Sequence, residues 1–385
     1  MPEAVPIYLD YNATTPVLPQ VFEAMLPYLR EHFGNPSSDH HYGRKAKEAV
    51  EHARTRVSTM LGCAPEEVLF TSGGTEANNL AIRGVAEARA DRNRLVTTII
   101  EHPATANPCG WLEQHGYCVK RVGVDAEGRA RLDLFQDALD TSTSLATVMH
   151  ANNETGVLQP VRAIAEMAHA MGAYVHTDAA QSIGKVPVNV DELRVDLLSI
   201  AGHKLYAPKG VGALYVRHGT RLEPFARGAG HERGLRPGTE NVAFIVGLGK
   251  ACEVVSADLG EAANAMRELR NELWAHLHAG IPGIALNGHE LERLPNTLSV
   301  RFPGVSGNAV LAGAPELAAS TGSACHGGEE APPSVIMAMG INATEALGTV
   351  RLSLGRTTTR DEVECAARAL VRSWKQVATE REALG

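Results

Sequence analysis

Apolar residues recur along this chain in two rhythms. Residues 42–61 place Ala46, Ala49, Val50, Ala53, Val57, Met60 and Leu61 at steps of three and four, the spacing that turns one face of an α-helix into a core. Glu67-Val68-Leu69-Phe70, Leu197-Leu198-Ser199-Ile200 and residues 210–216 are short apolar runs bounded by Gly, Pro or polar turn residues, and these read as strands. Between them the rhythms alternate: strands over 95–100, 117–124, 145–149 and 174–178, with helices running through Trp111 and over 132–139 and 161–171. Such alternation predicts a mostly parallel sheet covered on both faces, with ligands gathering beyond the carboxyl ends of its strands. Outside this region the pattern predicts a strand at Ile7-Tyr8-Leu9, a helix over 17–33 and one long helix over 242–279. The remainder, with apolar stretches at 286–301 and 347–354 and a terminal helix over 360–379, reads as a smaller α+β unit.

A chain of 385 residues exceeds one ordinary core. The expected division is a large domain over 15–255 and a small one built from 1–14 and 256–385. With 44% hydrophobic and 21% charged residues the protein is globular. Its net charge of -8 argues against a general nucleic-acid surface and against docking on anionic lipid. There is no basic-then-apolar leader and no apolar stretch of membrane-spanning length, which predicts a cytoplasmic location. Six cysteines without a CxxC pair fit neither a disulfide framework nor a zinc site, and the adjacent His40 and His41 point in diverging directions, which disfavours a metal site with Glu48.

Chemistry-bearing residues fall at the predicted strand ends. Glu101-His102, Asn152-Asn153, Asp178 and Lys204 all lie there, and Thr71-Ser72-Gly73-Gly74-Thr75 joins a strand to a helix N-terminus, an arrangement that favours an anion. Each has an ordinary reading alone: a solvated lysine, a common glycine turn, a capping aspartate. Together a displayed lysine, a carboxylate, a ring stacker and a phosphate cradle are what pyridoxal phosphate requires. Cys325 lies among small and polar residues, Ser320-Thr321-Gly322-Ser323-Ala324 before it and His326-Gly327-Gly328 after, as suits an exposed loop thiol rather than a buried one. His176, inside a strand, reads as a hydrogen-bonded structural residue.

These motifs carry a resemblance. Through YLDYNATTP, GNPSS, FTSGGTEANNLAI, EHPA, NNETGVLQP, HTDAAQSIGK, GHKLYAPKG, RPGTEN, TGSACH and VRLSLGR, in order over nearly its whole length, the chain resembles the class V aminotransferase-like cysteine desulfurases and selenocysteine lyases. The resemblance implies an α/β fold of PLP fold type I, aspartate aminotransferase-like, with a mostly parallel, seven-stranded-type sheet in the large domain, and a homodimer. It implies that Lys204 carries the cofactor, that Asp178 holds its ring nitrogen, and that Asn153 and Gln181 lie near its phenolic oxygen. His102 would stack on the ring and move protons. Gly74, Thr75 and His203 would bind the phosphate, joined by Thr239 from the other subunit. Arg351 would clamp the substrate carboxylate with Asn12 beside it, and Cys325 would meet the leaving chalcogen.

Two departures bear on the substrate. Ala201 stands where many desulfurases have Ser, and His326 follows Cys325 where sulfur-transferring members usually have Thr or Ser. Both features resemble selenocysteine lyases, so the leading expectation is removal of selenium from L-selenocysteine to give L-alanine. The alternative is a cysteine desulfurase that passes a Cys325 persulfide from L-cysteine to an acceptor protein. Plain aminotransfer has no use for the thiol, and a non-catalytic scaffold has none for the full set of reactive residues.

Overall fold

The structure, a computed structural model, describes residues 5–322 and 330–384. Strand β1 (Ile7–Tyr8) leads into helices α1 (Pro19–Arg30) and α2 (His41–Leu61). Pro19 opens α1, where its missing N–H leaves no helical bond unmade. His40 caps α2 by accepting from Gly43 N, and Gly62 ends it at φ 70°. The alternating region then runs β2 (Val68–Thr71), α3 (Gly74–Ala88), β3 (Arg94–Thr98), α4 (Pro103–Gln114), β4 (Cys118–Val122), α5 (Leu132–Ala138), β5 (Thr143–Met149), α6 (Val161–Ala170), β6 (Tyr174–Asp178), α7 (Val190–Leu193), β7 (Leu197–Ala201) and β8 (Gly212–Val216).

These strands form one seven-stranded sheet in the order β2-β8-β7-β6-β5-β3-β4. Only β8 runs antiparallel to its neighbours, so the other strands deliver their carboxyl ends to a single edge. Every residue of β5, β7 and β8 is buried, which is why they read as continuous apolar runs. Successive residues serve opposite faces: Phe70, Leu198 and Tyr215 pack with α2 and α8 (Val242–Ala257) in one core, while Leu69, Leu197 and Leu214 pack with α3 and α4 in another.

The single helix expected over 242–279 is two helices, α8 and α9 (Leu259–Gly280). Asp258 leaves the helical region at φ -133°, ψ 24°. Arg356 explains the break: its guanidinium donates to Asp258 Oδ1 at 2.6 Å and to the Val255 carbonyl at 3.1 Å, satisfying groups at the helix end.

The smaller body contains β9 (Ala285–Leu286), β10 (Thr297–Arg301), β11 (Leu317–Ala318) and β12 (Thr349–Ser353). Its antiparallel sheet has the order β12-β10-β9, and β1 pairs in parallel with β11. Helix α9 and the C-terminal helix Arg360–Leu384 close its core around Leu273, Leu277, Val300, Leu352, Val363 and Leu370. The N-terminal segment crosses between the bodies, since Leu9 packs in this core and Tyr11 in the first. Asp10 and Asn12 therefore sit at the junction. Among the described residues, no helix is long and apolar enough to cross a membrane.

Candidate active site

The sheet edge builds the site one strand end at a time. Strand β7 ends in a single 3-10 turn, Gly202–Lys204. A Cβ on Gly202 would lie 2.8 Å from the Val211 carbonyl, so the turn is drawn tight against the backbone leading into β8. Thr15 locks it: Thr15 N and Oγ1 donate to the His203 carbonyl at 2.9 and 3.0 Å, and Tyr206 N donates back to Thr15 Oγ1 at 2.9 Å. His203 Nδ1 lies 3.2 Å from Thr14 Oγ1, and burial holds its pKa down at about 4.

Lys204 projects from this turn into a cavity with about 470 Å³ of empty space. The walls include Gly74, Thr75, His102, Asn153, Asp178, Gln181 and His203. Burial lowers the Lys204 pKa to about 8, with Arg351 adding to the fall and Asp178 opposing it. Its amine makes no hydrogen bond among the described residues. Asp178 ends β6 in register with Met149 and Ser199. Asn78 Nδ2 donates to its Oδ2 at 2.7 Å and Ala180 N to its Oδ1 at 2.9 Å, so the carboxylate is fixed in orientation. His102 caps α4, its Nδ1 accepting from Ala104 N at 3.1 Å. That bond places the neutral ring's proton on Nε2, and burial together with the Lys204 charge lowers the ring's pKa.

The anion cradle is the start of α3. Gly73 adopts φ 150°, a conformation suited to glycine, and a Cβ on Gly212 would lie 2.7 Å from Gly73 Cα. A Cβ on Gly74 would lie 3.1 Å from Ala201 Cβ. The helix N-terminus with its free N–H groups and the Thr75 hydroxyl thus meets the end of β7 at close range.

The other expected residues lie outside the walls of this cavity. Arg351, on β12, donates from Nη2 to Asp10 Oδ1 at 2.7 Å and from Nη1 to the Asn153 carbonyl at 2.9 Å, and among the described residues its buried Nε has no partner. The Asn12 amide is wholly engaged with protein: Nδ2 donates to Thr297 Oγ1 at 2.9 Å and to the Asn153 carbonyl at 3.3 Å, and Oδ1 accepts from Lys185 and Asn296, both at 3.2 Å. Asn12 therefore has no free amide hydrogen for a substrate and instead joins the two bodies. Thr239 lines a separate cavity with Arg54, His231, Glu232 and Glu240.

Cys325 and His326 lie outside the described residues. The chain before them is anchored beside Arg351, since Arg351 N donates to the Ser320 carbonyl at 2.6 Å and Ser320 N to the Arg351 carbonyl at 3.3 Å. Elsewhere burial pushes the Cys63, Cys109 and Cys252 thiols up to about 12, which leaves them unreactive. His176 is buried between Thr147 Oγ1 and Ser199 Oγ, at 2.8 and 2.9 Å.

Glu154, in the Asn152-Asn153-Glu154 turn, and Lys185 escaped the sequence reading, while Glu101 was singled out there only together with His102. Burial raises Glu101 to about 8 and Glu154 to about 7, and drives Lys185 well below the ordinary lysine value. Of the two that escaped, only Lys185 carried a usable signal, standing four residues after Gln181, a spacing that brings side chains together on a helical turn.

Comparison with known proteins now adds to this geometry. The sequence profile of the family described as aminotransferase class-V matches residues 7–365. The chain belongs to the class V aminotransferase family. Within it, the cysteine desulfurase IscS of Dictyoglomus turgidum is 43% identical over 360 residues, 93% of this chain and 91% of that protein. A solved NifS-like protein superposes with a TM-score of 0.90 at 37% identity, covering 96% of this chain and 99% of that one. A structure described as SspA in complex with cysteine matches with a TM-score of 0.80 at 36% identity, over 91% of this chain and 99% of that one. The chain is thus a pyridoxal phosphate-dependent class V enzyme of α/β fold with a mostly parallel central sheet. The cavity's chemistry fits that cofactor: an unpartnered buried amine, an oriented carboxylate, an imidazole and a helix N-terminus converge on it.

Proposed function

We propose that this enzyme is a cysteine desulfurase, releasing L-alanine from L-cysteine and holding the sulfur on Cys325. The carrying observation is the convergence of Lys204, Asp178, His102, Gly74 and Thr75 on one cavity in a chain whose relatives bear the name cysteine desulfurase. The cysteine bound in the SspA structure supports the same substrate. These names favour sulfur over the selenium reading suggested by Ala201 and His326.

Bound pyridoxal phosphate supplies an electron-accepting ring that stabilises negative charge at the substrate α-carbon. Lys204 Nζ would hold the cofactor and, with burial lowering its pKa to about 8, would exchange the α-proton. Asn78 and Ala180 N hold both oxygens of Asp178, an orientation in which the carboxylate would face the ring nitrogen. The α3 N-terminus, Thr75 and His203 would bind the phosphate, and Asn153 and Gln181, which line the same cavity, would serve the phenolic oxygen. His102, with its proton on Nε2, would stack on the ring and serve as a proton donor. Arg351 would receive the substrate carboxylate through guanidinium hydrogens beyond those given to Asp10 and the Asn153 carbonyl.

The sulfur step balances without an outside reductant. The Cys325 thiolate attacks the substrate sulfur, an S–S bond forms as the Cβ–S bond breaks, and the bonding pair leaves with Cβ, which takes up a proton. The products are a Cys325 persulfide and L-alanine, and an acceptor protein or a thiol then removes the sulfur.

The test is alanine formation from L-cysteine and L-selenocysteine in parallel. Turnover of cysteine is expected, with a persulfide trapped on Cys325 and a loss of at least about 100-fold in Cys325→Ala on cysteine. Turnover of selenocysteine alone, without persulfide, would replace this reading with a selenocysteine lyase.

A further inference from the structure

Lys185 is the most unusual group near the cavity. It is 5% exposed, and among the described residues no carboxylate pairs with it. Lysine is almost never buried unpaired. Its Nζ instead faces two oxygens, Gln181 Oε1 at 3.1 Å and Asn12 Oδ1 at 3.2 Å. A neutral amine carries two N–H groups for these two acceptors, and burial beside the Lys204 and Arg351 cations favours that neutral form.

The consequence falls on the amides. A neutral amine could accept one reversed amide on its lone pair, but reversing Gln181 would set its oxygen against the Asn12 carbonyl and reversing Asn12 would set its oxygen against the Asn153 carbonyl, so an amine donating to both oxygens reinforces the one orientation in which every partner is matched. Gln181 is thereby turned with Nε2 away from Lys185, donating to the Asn12 carbonyl at 3.0 Å. Asn12 is turned so that Nδ2 holds the Asn153 carbonyl, the same oxygen that receives Arg351 Nη1. One amine is therefore linked to a cavity-lining amide on one side and to the guanidinium of β12 on the other.

We propose that Lys185 is a positioning residue, whose buried amine fixes the Gln181 and Asn12 amides in the single orientation that presents Gln181 as a hydrogen-bond donor to the cofactor and steadies Asn153 against Arg351. This rests on the cofactor site proposed above. Lys185 touches neither cofactor nor substrate and acts through Gln181 and Asn12.

The experiment is a double-mutant cycle read by cofactor affinity rather than turnover. Full-length wild type, Lys185→Met, Gln181→Met and the double variant are freed of cofactor and titrated with pyridoxal phosphate, following its visible absorption, alongside thermal melts. Lys185→Met is expected to weaken binding about tenfold in the wild-type background and hardly at all when Gln181 is already Met, because coupled residues are non-additive. Lys185→Gln, which keeps N–H donors on a shorter stem, is expected to show the same coupling in smaller size and serves if the methionine variant does not fold. Unchanged affinity, or an equal loss in both Gln181 backgrounds, would overturn the assignment and leave Lys185 a packing residue. Failure of the wild type itself to take up the cofactor would overturn the site reading as well, and is separate from either result.

Discussion

Lys204 shows how burial alone prepares a side chain for chemistry. Only a free amine attacks an aldehyde, and a lysine at its ordinary pKa is free to about one part in several thousand at pH 7. Lowered to about 8 by burial, the Lys204 amine is free to about one part in ten. The rate at which cofactor-free enzyme captures pyridoxal phosphate is therefore expected to rise about tenfold per unit from pH 6 to about 8 and then level off. Stopped-flow absorbance checks this, and a rate still climbing tenfold per unit toward pH 10 would contradict the buried-amine account. Lys204, Asp178 and His102 were legible in the sequence because each follows a strand in a chain whose alternation predicts one sheet edge. Lys185 was hinted at only by its spacing from Gln181, since a lysine in a turn otherwise reads as a solvated charge and only tertiary packing removes its water. The expectation of a loop thiol at Cys325 falls outside the described residues.

At the scale of elements, the apolar rhythm located the central strands well because parallel strands buried on both faces leave unmistakable runs. It failed at Asp258, where a helix break depends on Arg356 arriving from 98 residues away. Glu101 belongs to this scale too, since its carboxylate ties the end of β3 to β5: Thr98 Oγ1 donates to it at 2.7 Å and Met149 N at 3.0 Å. Burial raises it to about 8 despite those bonds. The unfolded chain releases this proton near the ordinary glutamate value, whereas the folded protein keeps it until about pH 8. The folded state thus binds more protons between those values, and its stability falls as pH rises through that window. Glu101→Gln is expected to remove this slope, worth roughly 1–4 kcal/mol between pH 5 and 8. Urea midpoints for both proteins at the two pH values measure it, and parallel losses in wild type and variant would refute the assignment.

At the scale of the whole molecule, one expected phosphate ligand stands apart. Thr239 shares its cavity with Arg54 and Glu232, whose buried ion pair at 2.8 Å also fastens Phe70 N of β2 through Glu232 Oε2. This cavity does not include Lys204. If Thr239 serves the phosphate, it serves a second copy of the chain, and each site in a dimer is completed by its neighbour. Light scattering is then expected to give a two-chain particle. A hybrid experiment is sharper, because Lys204→Ala and Thr239→Val each damage a site, but in a mixed dimer both defects fall on the same one. The other site keeps Lys204 from one chain and Thr239 from its neighbour. Random exchange puts about half of the particles in the mixed form, each with one intact site, so mixing equal amounts at limiting cofactor is expected to restore about a quarter of wild-type turnover. Activity no greater than the average of the two separate variants would show that Thr239 acts within its own chain or not at all.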